Sequence, residues 1–189
     1  MKDLETKNLR IRKFKIEDAE DVYKNLATEK RLNKCLGYNI HESVEETKVL
    51  VSSYIYEYEA DELVWAIEEK QSNSVIGFIN ALEISRSSRY CNIKFGIAFK
   101  YLEKHYMEEA LNKVLEYIFT EKNFNMVVAK FWDGHKEIND FKSEILKNVG
   151  MKKEAVLRNR KINEKTGVIE NQVIYSITKS EFFELSKSA

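Results

Sequence analysis

The chain has no proline, two cysteines and six glycines in 189 residues. Without proline there is no cis-proline device to hold a strained turn. Cys35 and Cys91 show no paired spacing, which argues against both a disulfide framework and a cysteine-based zinc site. Neither sign of charge prevails, because 31 Lys and Arg offset 31 Asp and Glu. No global field therefore draws the chain to nucleic acid or to a membrane surface, and a charged ligand has to be held locally. No apolar run comes near the ~18 residues of a membrane-spanning helix. Residues 1–12 are charged where a secretory signal would be apolar. These absences point to a cytoplasmic protein without internal repeats, low-complexity tracts or linkers.

Hydrophobic residues make up 43% of the chain, enough for one well-buried core, so a single domain over residues 1–189 is expected. The organising stretch is 89–122. It reads as a strand (89–99), a short charged turn (100–105) and a helix on which Leu102, Tyr106, Ala110, Val114 and Ile118 share one face. Glu108, Glu109, Lys113 and Glu116 fall largely on the other faces. A strand that runs straight into a helix aims the helix's free N–H groups at the turn, which makes an anion site there.

Around that stretch the pattern is regular. Leu9, Ile11 and Phe14 alternate with basic residues as a first strand, and Glu17, Asp18, Glu20 and Asp21 open a helix carrying Ala19, Val22, Tyr23 and Leu26. After a loop through Gly37, Ser43 and Glu46 form a Ser-x-x-Glu capping box for a helix over 44–59. Segments 63–68 and 75–82 read as strands joined by a polar turn, and with 89–99 they make an antiparallel run of three. Segment 126–131 follows a helix and is expected to lie parallel to 89–99. A helix with Ile138, Phe141, Ile145, Leu146 and Val149 ends at Gly150 in a left-handed cap. Strands 151–162 and 168–178 flank the turn 163–167, and a short capped tail follows over 178–185.

This order of elements, with Glu5-Thr-Lys-Asn-Leu-Arg-Ile-Arg12 followed by Asp18-Ala19, resembles the GNAT acetyltransferases. More narrowly it is similar to the branch that acetylates ribosomal-protein N-termini. Trp65-Ala66-Ile67 before Val75-Ile76-Gly77, then Glu109-Ala110-Leu111, Asn139 ahead of Val149-Gly150-Met151, and Tyr175-Ser176-Ile177 stand in that branch's order and spacing. The resemblance implies an α/β (α+β) fold, one mixed, mostly antiparallel twisted sheet of about seven strands flanked by about four helices. It implies acetyl-CoA as co-substrate and direct transfer, in a ternary complex, to a primary amine on a protein N-terminus or a small molecule. Main chain around Phe95, Gly96 and Ile97 would pair with the pantetheine arm. The pyrophosphate would rest on the turn before the central helix, with Lys100, Glu103, Lys104, His105 and Tyr106 around it. Asn139 would touch the cofactor or cap its own helix. No metal is implied. The partner would be a small-molecule or peptide amine, with no nucleic acid and no membrane, and a homodimer stays open.

At the turn, the family's pattern of a bulky or basic residue, Gly-Lys-Gly, an apolar residue and Ala or Gly aligns with Leu102, Glu103, Lys104, His105, Tyr106 and Met107. Glycine there lets backbone N–H groups approach phosphate closely. Glu103 at about 5 Å from a phosphate charge would cost roughly 3 kcal/mol, and about 0.8 if its head turns into water. Lys100, Lys104 and a protonated His105 oppose it. Asn92 stands where the branch often carries a glutamate base, Lys142 where it carries a serine, and Leu146 where other members carry a tyrosine acid. The catalytic groups are therefore unassigned. Glu83 reads as a substitute base or a solvated strand-end charge, and Ser143 as reaching the sulfur or facing along its helix. Cys91 reads as a buried strand thiol. The aromatics Tyr54, Tyr56, Tyr58, Trp65 and Phe78 belong to the core or line an acceptor cleft. Lys152, Lys153, Arg158, Arg160 and Lys161 read as a solvated strand face. The rival readings are a GNAT-like binding or dimerisation module without transfer, and a sensor for another anion at the turn.

Overall fold

The computed structural model describes residues 1–58, 62–134, 136–163 and 167–188, without the side chains of Cys35, Lys136, Glu137, Ser186 and Ser188. It contains a mixed, mostly antiparallel sheet whose neighbouring strands run, in order, over residues 4–5, 9–12, 63–69, 74–85, 90–97, 126–132, 169–178 and 152–162. The chain forms two compact units, Met1–Leu82 with Lys94–Val114, and Glu83–Ile93 with Leu115–Ala189.

In the first unit β1 (Leu4–Glu5) and β2 (Leu9–Arg12) form a small hairpin. Leu9 and Ile11 are fully buried, and the intervening arginines do structural work. Arg12 grips both carboxylate oxygens of Asp18 at 2.8 Å each and donates through Nε to Glu68 at 2.7 Å. Asp18 also accepts the N–H of Lys15 at 2.8 Å, which starts the first helical turn. That turn, Ile16–Asp18, runs into α1 (Ala19–Val22) and a wider turn, Tyr23–Ala27.

The expected loop through Gly37 contains α2 (Lys30–Leu36), which Glu29 caps by accepting the Arg31 N–H at 3.3 Å and which Gly37 closes at φ 73°. Seven residues are too few for an apolar period to show in the sequence. α3 (Val44–Glu57) starts as expected, with the Ser43 hydroxyl accepting the Glu46 N–H at 3.2 Å. The return bond differs from a capping box: the Glu46 carboxylate takes the N–H of Glu42, at 2.9 Å.

β3 (Leu63–Glu69) is buried along its whole length and pairs antiparallel with β2 and with β4 (Ser74–Ser85). β5 (Tyr90–Ile97) ends two residues earlier than expected. A 3-10 turn, Phe99–Lys104, takes Leu102 off the face of α4 (Tyr106–Thr120). The first half of α4 buries Met107, Ala110, Leu111 and Val114, a stripe two columns wide rather than one.

The second unit holds β6 (Met126–Trp132), parallel to β5 as expected, with register from Tyr90↔Met126 to Ile93↔Ala129. α5 (Lys136–Asn148) ends at Gly150, φ 84°, where the N–H groups of Gly150 and Met151 close on Lys147 and Leu146 at 2.9 Å each. β7 (Lys152–Ile162) and β8 (Ile169–Thr178) form the last hairpin, and residues 164–166 of its turn lie outside the described residues. α6 (Lys179–Ser188) is capped reciprocally: Thr178 Oγ1 accepts the Glu181 N–H at 3.3 Å while the Glu181 carboxylate accepts the Thr178 N–H at 2.9 Å. Among the described residues the sheet has eight strands where about seven were expected, the addition being the two-residue β1, and α2 and α6 extend the helices beyond four. No helix among the described residues is long and apolar enough to cross a membrane.

Candidate functional site

The candidate site is built on the end of β5. Phe95, Gly96 and Ile97 are buried, and two glycines let the strands approach here. A Cβ on Gly77 would stand 2.7 Å from the Gly96 carbonyl oxygen, and one on Gly96 would stand 2.8 Å from the Phe78 ring. Ala98 then bonds back to the Ile76 carbonyl at 2.8 Å. Among the described residues the register pairs with β6 stop at Ile93↔Ala129, while β5 itself runs on through Lys94, Phe95, Gly96 and Ile97.

The turn after β5 gathers some of the expected residues and leaves others in solvent. Lys104 reaches the buried Glu69 carboxylate at 3.2 Å and lies 5.0 and 5.3 Å from the centres of the Tyr101 and Tyr106 rings, which stack at 6.0 Å. Burial pushes Glu69 upward, but bonds from Ser72 and Lys104 outweigh it and hold its carboxyl below the usual range. Glu69 and Tyr101, whose hydroxyl donates to it at 3.2 Å, carry no sequence signal, since only folding brings a strand end to this turn. Lys100 bonds to Asn25 at 3.0 Å. Glu103 is exposed. His105 is exposed too, with Nδ1 3.1 Å from Glu108 and a left-handed backbone, φ 54°. It keeps the conformation that glycine suits, one that histidine tolerates better than most residues.

Two landmarks of the resemblance meet beside this turn. The backbone N–H and the side-chain amide of Asn8 each donate to Glu109 at 2.8 Å. Burial would raise the Glu109 carboxyl, but these donors and Thr6 hold it below the usual range.

In the second unit Glu83 adopts a positive φ of 49°, and its carboxylate accepts from the Asn92 amide and, at 3.1 Å, from Lys130. Lys130, on β6, is a partner that sequence reading missed. Ser143 is half-buried on α5. Asn139 lies inside α5 rather than at its start, so the capping role is excluded. It is 7% exposed, and neither amide atom has a hydrogen-bond partner among the described residues. Leu146 is fully buried, so a core leucine fills the position of the family acid. Cys91 is a buried free thiol, pushed up to about 12 by burial.

The first unit also holds a half-open cavity of about 230 Å³ between the first helical stretch, α2, α3 and β4. Of the five aromatics considered, Tyr54 and Phe78 line it. Trp65 is fully buried in the core, Tyr56 is exposed, and the Tyr58 hydroxyl accepts the Phe14 N–H at 2.7 Å. The five basic residues of β7 are exposed, as a solvated strand face should be. Among the described residues no group of three or more His, Cys, Asp or Glu side chains is arranged to hold a metal.

Residues 8–152 match the family model described as Acetyltransferase (GNAT) domain. The chain is 24% identical over 177 residues to the uncharacterised N-acetyltransferase YoaA of Bacillus subtilis strain 168, covering 93% of this chain and 96% of that protein. It is similar in structure to a ribosomal-protein-S5-alanine acetyltransferase from Vibrio fischeri, with a TM-score of 0.80 at 16% identity, over 96% of this chain and 99% of the other. A spermidine N-acetyltransferase from Vibrio cholerae, solved with CoA and spermine, gives a TM-score of 0.73 at 20% identity, over 94% and 99%. At these identities the structural likeness establishes the fold.

Proposed function

We propose that this chain, which belongs to the GNAT acetyltransferases, transfers the acetyl group of acetyl-CoA to a primary amine within a ternary complex. The observation that carries this reading is that β5 outlasts its parallel ladder by four residues, Lys94 to Ile97, one of them the side-chain-free Gly96. A strand that runs on past its parallel neighbour, with no side chain at Gly96, is what an extended arm bearing amides requires.

The residues present fit that co-substrate. The backbone of Phe95, Gly96 and Ile97 would bond the pantetheine amides. Asn139 supports the reading from α5. A buried amide without partners costs about 1–3 kcal/mol, and bonding to the co-substrate would recover it. At the turn, Lys100, Lys104 and, when protonated, His105 would meet the diphosphate by charge, since the glycines that would let backbone wrap it are replaced. Glu103 is solvent-exposed, so its repulsion belongs at the screened end, about 0.8 kcal/mol at ~5 Å.

Acetyl-CoA supplies an activated acyl carbon: its C–S bond breaks as the amine's C–N bond forms, and one proton passes from the amine to the released thiol. The chain holds the amine in place, itself a large share of the rate enhancement. Glu83, fixed by Asn92 and Lys130, has the chemistry to accept that proton. Ser143 has the chemistry to hand one to the thiolate.

Thermal unfolding with acetyl-CoA tests the reading. At a hundred times its dissociation constant the ligand should add about 2.7 kcal/mol of stability. Thiol release should follow on adding a primary amine. No stabilisation at millimolar acetyl-CoA would sink the proposal and leave a binding module without transfer.

A further inference from the structure

We infer that the cavity against Gly96 receives the uncharged apolar or aromatic group of the acceptor amine, an inference that rests on the acetyl-transfer reading above. Its lining is mostly apolar, with Leu26, Leu32, Leu36 and Phe78 and the ring of Tyr54, all buried. Its volume of about 230 Å³ exceeds the ~150 Å³ at which an engineered Leu, Ile and Phe-lined cavity stays dry and takes up benzene. One phenyl ring or one branched aliphatic chain fits.

The polar lining is already engaged inside the protein. Asn33 donates through its amide to the carbonyls of Leu26 and Ala27 at 2.7 and 3.1 Å, and Nδ1 of His41 lies 2.8 Å from the Thr47 hydroxyl. No Asp or Glu occurs among the described lining residues. An ammonium drawn into such a wall would lose its water and gain no counter-charge. Two lining residues carry a positive charge against them, because Lys94 sits 3.8 Å above the Tyr38 ring and bonds to the Leu36 carbonyl at 3.2 Å. The cavity therefore selects for a neutral group and against a polyamine, and the reacting amine stays at the mouth.

Gly96 links this cavity to the chemistry. The Cβ it lacks would stand 2.8 Å from the Phe78 ring and 3.3 Å from Leu32, so two lining residues of the cavity lie against the strand that would hold the thioester arm. Either a small arylalkylamine or the first residue of a peptide would present the same group.

The test is thiol release by the full chain with acetyl-CoA and a set of acceptors: phenethylamine, ethylamine, spermidine, and peptides beginning with Phe or Gly. The kcat/KM for phenethylamine should exceed that for ethylamine by at least about tenfold, with spermidine no better than ethylamine. A like preference for the Phe peptide would identify a protein N-terminus as the source, and its absence a small molecule. Ala27→Leu, which fills the cavity from its wall, should bring the phenethylamine-to-ethylamine ratio toward one while the acetyl-CoA thermal shift persists. If that variant does not fold, 2-phenylethanol, which has the ring and no amine, should compete with phenethylamine on the unaltered chain. Equal rates with phenethylamine and ethylamine, a preference for spermidine, or no competition would overturn the inference and leave acetyl transfer standing. No thermal shift and no release with any amine would overturn the transfer reading, and this inference with it.

Discussion

Asn139 and Arg12 show how single residues divide between binding and stability. The Asn139 amide is buried with neither polar atom bonded among the described residues, so it weakens the free protein unless a ligand completes it. Asn139→Ala is therefore expected to leave the free chain's unfolding temperature unchanged or higher while shrinking the acetyl-CoA shift. A drop in the free chain's stability beyond about 1 kcal/mol would contradict this. Arg12 is the opposite case. With its side chain 11% exposed, it bonds to two buried acids, Asp18 and Glu68, the second of which it shares with Arg10. Removing one partner of a buried pair costs about 3–5 kcal/mol, so Arg12→Ala should lower the free energy of urea unfolding by about 3 kcal/mol. Cys91, by contrast, is inert packing: burial holds its thiol neutral.

At the scale of elements, the turn between β5 and α4 and the start of α6 carry the testable consequences. The turn keeps a left-handed residue at His105, so glycine would relieve backbone strain of about 1 kcal/mol there and remove a side chain from the phosphate's approach. Glu103→Gly with His105→Gly is expected to tighten acetyl-CoA binding severalfold by titration calorimetry. Weaker binding would mean that His105 acts as a cation toward phosphate. At α6, Lys152 and then the backbone and hydroxyl of Thr178 hold the Glu181 carboxyl down at about 2. A depressed carboxyl contributes stability above its unfolded pKa and loses it as pH falls through the folded value. The stability difference between wild type and Glu181→Gln should be constant above about pH 5 and shrink as pH falls toward and below about 2.

For the whole molecule, zero net charge means that no long-range field steers an anionic nucleotide toward it. Attraction is confined to Lys100, Lys104 and their neighbours. Raising ionic strength from about 0.05 to 0.5 M should weaken acetyl-CoA binding through a few local charges, by about tenfold or less in equilibrium titration. A hundredfold loss would point to a field that the balanced composition does not provide. The long elements could be read from their periods: the parallel strand at 126–131, the Gly150 cap and the start of the helix at 44 all follow from patterns local to a few residues. The two-residue β1 and the seven-residue α2 were not legible, because neither is long enough for a period to form.

The sequence by itself determined the order of the long elements, the Glu5 to Arg12 phrase and the filled small positions at 103, 105 and 107. Each of these rests on a residue's own conformational freedom or on spacing along the chain. Only the tertiary structure decided that Lys104 is held by Glu69, that Glu83 is fixed by Lys130, that neither Asn139 amide atom has a partner among the described residues, and that Leu32, Tyr54 and Phe78 line a cavity. Those facts join residues tens of positions apart. Which distant groups meet is settled by the packing of the core, which no local pattern records.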